Sequence, residues 1–302
     1  MMAIDINLLL RAYASGIFPM ADARDDPETF WVEPKTRAIL PLDAFHLARS
    51  LRKTIRADRF EVTADQAFEE VISICAQSAS DRRETWINAD IETAFCKLHE
   101  LGHAHSVECW HTNEEGQKSL VGGLYGLAIG GAFCGESMFS RTRDASKVAL
   151  AWLVARLIVG RFQLLDCQFM TDHLASLGAL EISQAEYLDK LQAAQDYRSP
   201  AFSAIKSPMR SVASGAACGA VSGTGSTATG GVGTGTGGGA TAGVSGTGAT
   251  ASTLVSAPSF AALDGLLARL DEEERGAVGF TESSGGFSSP GKLIAQLLTQ
   301  TS

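Results

Sequence analysis

The sequence holds little that could staple the chain or carry it through a membrane. Its six cysteines stand at 75, 96, 109, 134, 167 and 218 and form no C-x-x-C pair. That excludes a disulfide mini-protein and argues for reduced thiols. The longest uncharged stretch before residue 200, Ser119–Gly135, is glycine-rich and too short for a bilayer span. The opening residues carry Asp5 and no basic start, so no secretory signal is expected and the chain reads as soluble and cytoplasmic. Basic charge is also scarce. There are 25 Lys and Arg against 34 Asp and Glu, a net −9, and residues 1–198 alone hold 20 against 28. Bulk charge therefore announces no nucleic-acid partner, which would need a local basic patch. No Walker loop occurs, and Ser211–Pro258 lacks charge altogether.

What is present divides the chain. Nearly half of the 31 glycines fall within that uncharged window, whose Gly, Thr, Ala and Ser cannot bury enough apolar area to offset their ordering entropy. A flexible linker is expected there. Its Gly233-x-Gly235-x-x-Gly238 spells a dinucleotide fingerprint by chance, with no strand before it and no helix after. About 255 residues of ordinary globular composition remain, enough for a sizeable core.

Periodicity supplies the elements. A short helix over 6–15 stops at Gly16, and a helix over 43–56 is expected, with Asp43 as cap and Leu47, Leu51 and Ile55 as its stripe. Thr63-x-x-Gln66 reads as a capping box before a helix through Phe68, Val71, Ile72 and Cys75. A third helix runs from Asn88 to Leu101. Strands follow over 104–110, 120–129 and 132–140, then a helix from Asp144 to about Val159 and a buried strand over 162–169. Short helices near 172–177 and 183–195 close the unit, and two more pieces lie at 261–269 and 292–298. The class is α+β.

Three groups of residues invite chemistry. His103, His105, Cys109 and His111 share one strand face, yet the run is too long for all four to reach one ion, so a structural role is favoured over zinc. Arg49, Arg52, Lys53 and Arg56 follow helical spacing inside a segment with seven basic and three acidic residues between Glu33 and Arg59. That stripe is either a solvated face or a phosphate-backbone track. Trp31 and Trp86 flank it in loops, where burial and base stacking are both open. The third group is densest. Glu136 is a carboxylate in an otherwise apolar strand, and Asp166 and Gln168 alternate with Leu165 and Cys167 on another. Buried carboxylates are costly unless paired or working; Glu136 is expected either to pair with Arg141 or to belong to a site.

These residues sit in an ordered series: Gly-Ile-Phe-Pro at 16–19, Thr85-Trp86-Ile87, the run 99–106, Leu120-Val121-Gly122-Gly123, the run 133–141, Ala145-Ser146-Lys147, Asp166-Cys167-Gln168 and the run 172–178. The series resembles the bacterial leucyl/phenylalanyl-tRNA–protein transferase family over roughly residues 5–195. It departs in a short N-terminal segment and in the extra linker and acidic tail. The resemblance implies a GNAT-like acyltransferase domain that moves Leu or Phe, and Met less well, from aminoacyl-tRNA to proteins beginning with Arg or Lys, marking them for degradation. It implies no cofactor, no metal, no membrane partner and a monomer. Asp166 and Gln168 are expected to contact the reacting centre, Gln168 orienting the attacking amine and Asp166 polarising or relaying, while Glu136 holds the polar end of the aminoacyl group. Leu124, Phe133, Met138, Leu150 and Leu165 are expected to wall an apolar pocket, with Trp86 stacking on the terminal adenine and Trp31 beside it. Arg49, Arg52, Lys53 and Arg56 would track the acceptor stem. The competing readings are another GNAT-type enzyme, disfavoured because no Gly-rich pyrophosphate loop precedes Asp144, and a non-catalytic tRNA-binding module. Four segments are expected: 1–60 with the basic helix, a catalytic domain over 61–198, a linker over 199–258, and a short acidic tail over 259–302. Everything beyond about Arg210 is expected to be a dispensable appendage.

Overall fold

Asp5 accepts a hydrogen bond from the Leu8 amide at 2.7 Å and so caps α1 (Ile6–Ala14), which buries Leu9, Leu10 and Tyr13. Asn88 does the same for α4 (Ala89–Glu100), accepting from the Ile91 amide at 2.9 Å. The computed structural model describes residues 4–77, 85–196, 257–277 and 289–300. Its centre is one seven-stranded sheet. In chain order the strands are β3 (Thr36–Ile39), β4 (Glu61–Ala64), β5 (Ala104–Thr112), β6 (Lys118–Ile129), β7 (Ala132–Ser140), β8 (Leu164–Gln168) and β9 (Leu180–Ser183). Across the sheet they run β4-β5-β6-β7-β8-β3-β9. Every neighbouring pair is antiparallel except β7 and β8. A separate ribbon joins β1 (Phe18–Met20) to β2 (Phe30–Val32).

Strand alternation sends neighbouring side chains to opposite faces. Leu124 and Phe133 enter one apolar core with α5 (Ala145–Val159) and α2 (Arg49–Arg56). Tyr125 and Cys134, one residue on, enter a second with α1, α3 (Phe68–Cys75) and α4. Helices therefore cover both faces, and the architecture is mixed α/β around a central sheet. The approach of α5 is close: a Cβ built on Gly122 would lie 2.5 Å from that of Ala145, so β6 needs glycine there. A short α6 (Asp172–Ala175) follows β8, and α7 (Gln184–Asp196) buries Tyr187 and Leu191 in a third cluster with Ile39 and Leu164.

Several expectations change. The helix expected over 43–56 begins only after Ala48, and Asp43 is exposed and caps nothing. Residues 40–48 instead form a loop anchored by Phe45 and Leu47. Thr63 opens no capping box. It lies in β4, where its hydroxyl donates to Glu108 at 2.5 Å and accepts from the Trp110 indole at 2.8 Å. The segment 1–60 is not a helical region beside the fold, since β3 pairs between β8 and β9.

The C-terminal pieces differ most from expectation. Two helices, α8 (Ala262–Ala277) and α9 (Pro290–Gln300), pack into the same compact unit as residues 1–196. Just before α8, Phe260 stacks on Phe133 at 5.6 Å and on His105 at 4.1 Å. Within it, Asp264 takes two hydrogen bonds from the buried Arg156 guanidinium, at 2.6 and 2.7 Å. Pro290 opens α9, a position that suits a residue without an N–H, and Ile294, Ala295 and Leu298 are buried in the α5 core. The described residues of the 259–302 segment are thus no free tail: Phe260, Leu263, Ile294, Ala295 and Leu298 are buried in the domain core. The expected linker over 199–258, the Gly233 motif and Cys218 lie outside the described residues, apart from Ala257 and Pro258 at the linker's end. Among the described residues no helix is long and apolar enough to cross a membrane.

Candidate active site

The parallel pairing of β7 with β8 lasts three residues, Ala132–Cys134 against Leu164–Asp166. Beyond it Gly135–Met138 and Cys167–Phe169 separate, and a pocket of about 660 Å³ opens between them. Leu124, Met138, Leu150 and Leu165 line it as expected, and so do Trp86, Glu136 and Gln168. Phe133 does not. It is fully buried between Phe260 and Phe162, behind the pocket wall. Trp31 does not line it either; it sits on β2 opposite Pro19, 41% exposed. Arg49, Arg52, Lys53 and Arg56 are exposed on α2 and contribute nothing to the pocket.

Asp166 is the largest departure. It is 0% exposed and absent from the lining, so it lies beneath the pocket surface rather than on it. Its Oδ2 accepts from Arg37 Nη2 at 2.6 Å, from Arg37 Nε at 3.2 Å and from the Tyr187 hydroxyl at 2.9 Å. Its Oδ1 accepts from Arg37 Nε at 3.0 Å and from the Gln168 amide at 2.8 Å. Arg37 is itself buried, its guanidinium 4.7 Å from the Phe18 ring centroid and 4.4 Å from that of Tyr187. Burial works against the Arg37 charge, and the bonds to Asp166 more than offset it, so its pKa rises. Burial pushes the Tyr187 hydroxyl up as well. The Asp166 bond holds the Gln168 backbone at φ +60°, a left-handed conformation that costs a non-glycine residue about 1 kcal/mol or more.

That turn aims the Gln168 side chain across the pocket, where Nε2 donates to Glu136 Oε1 at 2.8 Å. Glu136 Oε2 is buried and has no hydrogen-bond partner among the described residues. Burial raises the Glu136 pKa from 4.5 to about 8. The Tyr13 hydroxyl, close by but without well-formed hydrogen-bond geometry, draws it down; Asp166 raises it; Arg37 and the Gln168 amide lower it. The pairing with Arg141 is not made: that guanidinium lies 5.8 Å from the Phe139 ring centroid.

Sequence reasoning missed three groups here. Arg37 is one of the seven basic residues between Glu33 and Arg59, and nothing in the sequence separates it from the others, although it stands between Thr36 and Ala38 in a stretch that becomes a strand. Tyr187 sits at a buried position of α7. His173, on α6, lines the pocket; burial and then Lys147 lower its pKa, and Nε2 has no partner among the described residues. Cys167 also lines the wall, its thiol pushed up by burial and so kept protonated. The histidines of β5 do other work. His105 bonds Asp65 at 2.8 Å under Phe260, Cys109 is buried, and His111 is exposed beyond a register shift. Among the described residues no group of three or more His, Cys, Asp or Glu is placed to hold a metal.

Comparison with known proteins bears directly on this pocket. The family model for leucyl/phenylalanyl-tRNA protein transferase matches residues 39–192. The model for the N-terminal domain of the same family matches residues 2–35, so the short N-terminal segment still carries that part of the pattern. A leucyl/phenylalanyl-tRNA–protein transferase of Zymomonas mobilis is 63% identical over 191 residues, 63% of this chain and 69% of the relative. One from Rhizorhabdus wittichii is 63% identical over 194 residues, 64% and 76% of the two chains. The crystal structure of FemX aligns at 10% identity with a TM-score of 0.39, over 58% of this chain and 66% of that one, a likeness too low to bear on the fold. By family match and by relatives, the chain belongs to the leucyl/phenylalanyl-tRNA–protein transferases, enzymes that carry an aminoacyl group from tRNA to protein.

Proposed function

We propose that the pocket between β7 and β8 takes the leucyl or phenylalanyl end of an aminoacyl-tRNA, methionyl less well, and delivers it to the N-terminal α-amine of a protein beginning with Arg or Lys. The product is a protein marked for N-degron degradation in the cytoplasm. The observation that carries this reading is Glu136 Oε2, a buried carboxylate oxygen with no well-formed hydrogen bond among the described residues, beside apolar walls made by Leu124, Met138, Leu150 and Leu165. An α-ammonium next to an unbranched apolar side chain supplies what that corner lacks. An empty pocket keeps Glu136 largely protonated near neutral pH; a bound ammonium favours its ionised form.

The chemistry then needs little help. The ester is already activated, and an acceptor α-amine with a pKa of about 8 is partly neutral near pH 7. Its nitrogen attacks the ester carbonyl, the new amide bond forms, and the C–O bond to the ribose breaks, the proton passing to the leaving ribose oxygen. Gln168 gives its N–H to Glu136, which leaves its carbonyl oxygen to accept from the attacking amine. A neutral amide is too weak to be the base, so Gln168 orients rather than deprotonates. Asp166 acts through Gln168 and not on the substrate. Trp86 offers its ring to the terminal adenine, with Trp31 further out, and the α2 cations follow acceptor-stem phosphates. The short parallel pair opening inside an antiparallel sheet supports a GNAT-like acyl-transfer fold; an ester donor that is already activated asks for no cofactor, and the enzyme is read as a monomer.

The test is direct: incubate the protein with labelled Leu-tRNA and an Arg-starting peptide, and read label on the peptide's N-terminus. Transfer that disappears in Gln168→Ala and Glu136→Gln supports the assignment. Transfer that survives both at the parent rate overturns it.

A further inference from the structure

The α2 cations do not all face open solvent alike. Arg52 and Arg56 form one wall of a cleft of about 260 Å³, and α9 forms the other with Lys292, Ala295, Gln296 and Thr299. No carboxylate lines it, and among the described residues none of its three cations is in an ion pair.

The cleft is set by packing rather than by side-chain reach. A Cβ built on Gly291 would lie 2.0 Å from the Ile55 carbonyl oxygen, so only glycine lets α9 come this close to α2. The Gly291 amide donates to Asp58 at 2.8 Å, which also occupies the nearest carboxylate. Ile294, Ala295 and Leu298 share one buried core with Leu51 and Ile55. Two helices thus hold three positive charges around one cavity, where they repel unless an anion is present. Two guanidinium forks, one ammonium and the Gln296 amide match the oxygens of a phosphate group.

We propose that the α2–α9 cleft is a backbone-phosphate site for the donor tRNA, with Arg52, Arg56 and Lys292 as its ligands. The proposal rests on the reading of α2 as a tRNA track. It assigns a role in donor binding to a helix that lies beyond the family match at 39–192. Free phosphate shares the same chemistry and would be the simpler occupant. A polyanion is favoured because the cleft continues the exposed row of Arg49 and Lys53 on α2.

The experiment uses the full chain and measures tRNA affinity across a salt series for Lys292→Ala, Arg52→Ala and Gln296→Glu. Lys292→Ala and Arg52→Ala are each expected to weaken binding about three- to tenfold at low salt and to lower the log–log salt slope by about one. Gln296→Glu places a carboxylate in the cleft without removing a cation and is expected to weaken binding at least as much, with Lys292→Arg restoring the slope. Melting temperatures should match the parent, since none of these side chains is buried. If Arg52→Ala lowers the slope while Lys292→Ala and Gln296→Glu leave it unchanged, the cleft proposal falls and the α2 track stands. If no variant changes the slope, both fall. Inorganic phosphate that protects the parent against melting at matched ionic strength, together with a salt slope indifferent to Lys292, assigns the cleft to a free anion and overturns the tRNA site.

Discussion

The two carboxylates of the site stand on neighbouring strands and differ in one respect that sorts their roles. Around Asp166 every oxygen is occupied: Arg37, Tyr187 and the Gln168 amide all donate to it, and nothing is left for a ligand. Around Glu136 one oxygen is taken by Gln168, and the other is buried with no well-formed hydrogen bond among the described residues, the Tyr13 hydroxyl lying close by. Buried polar groups are nearly always paired, so an orphan marks a place kept for something else. Saturation suits a scaffold; the gap is where the proposed substrate ammonium would bind. Proximity in sequence and identical chemistry say nothing of this division, which is set by what surrounds each group.

The comparison breaks most visibly at Asp166. Asp166→Ala leaves the buried Arg37 guanidinium without its counter-charge, which is expected to cost about 3–5 kcal/mol of stability. The same change frees the Gln168 backbone from its φ +60° turn, and transfer is expected to fall by about a thousandfold. Chemical denaturation and transfer kinetics on one sample would show both losses. A large drop in transfer with unchanged stability would mean that Asp166 reaches the substrate after all.

Glu136 should respond in the opposite sense. In the folded chain its pKa is about 8 against an ordinary 4.5. Between those values the unfolded chain releases the proton while the folded one keeps it, so this group lowers stability as pH rises from about 4.5 to about 8 and adds nothing further above. Glu136→Gln removes that titration. The variant is expected to gain on the parent in melting temperature as pH is raised through that window, while transfer falls about a hundredfold. A variant that loses stability and activity together would place Glu136 with the scaffold.

How much of this was legible follows the length of each signal. The helix beginning at Asn88 and the long strands β5, β6 and β7 stand out because many periods repeat. The three- and four-residue strands β1, β2, β3, β4 and β9 have no period to detect, and β4 disguised itself as a capping box at Thr63. Four of the five expected apolar wall residues line the pocket, three of them (Leu124, Met138 and Leu165) on strands where alternation chooses the face locally, the fourth (Leu150) on α5, which is buried over most of its length. Phe133 does not, because its partner is Phe260, which lies beyond the expected linker; a contact over that separation leaves no local trace. Arg37 hid for a related reason: one cation among seven looks like surface until β3 is known to run beside β8.

The docked C-terminal segment offers a milder contrast. Arg156 is 3% exposed, but its partner Asp264 is 56% exposed and the guanidinium also bonds the Phe260 carbonyl at 3.0 Å. Solvent weakens this pair relative to Arg37–Asp166. Asp264→Ala is expected to cost about 1–2 kcal/mol, with transfer per folded molecule unchanged. Thermal melting and a transfer assay check the two halves. A loss of transfer without a loss of stability would show that α8 reaches into the chemistry.

The smallest change tests whether saturation brings redundancy. Tyr187→Phe deletes one of five hydrogen bonds to Asp166 and keeps the ring that Arg37 lies against. Three Arg37 bonds and the Gln168 amide remain on the carboxylate, so the Asp166 charge stays neutralised and the Gln168 turn stays held. The expected cost is about 0.5–1.5 kcal/mol, the usual net value of one hydrogen bond, and a decrease in transfer of only about twofold to fivefold. Apparent affinity for the donor should not move, because Tyr187 touches no part of the pocket. An effect approaching that of Asp166→Ala would mean that the hydroxyl, not the guanidinium, sets the carboxylate's position. The saturated cluster would then be a chain of single supports rather than a shared one.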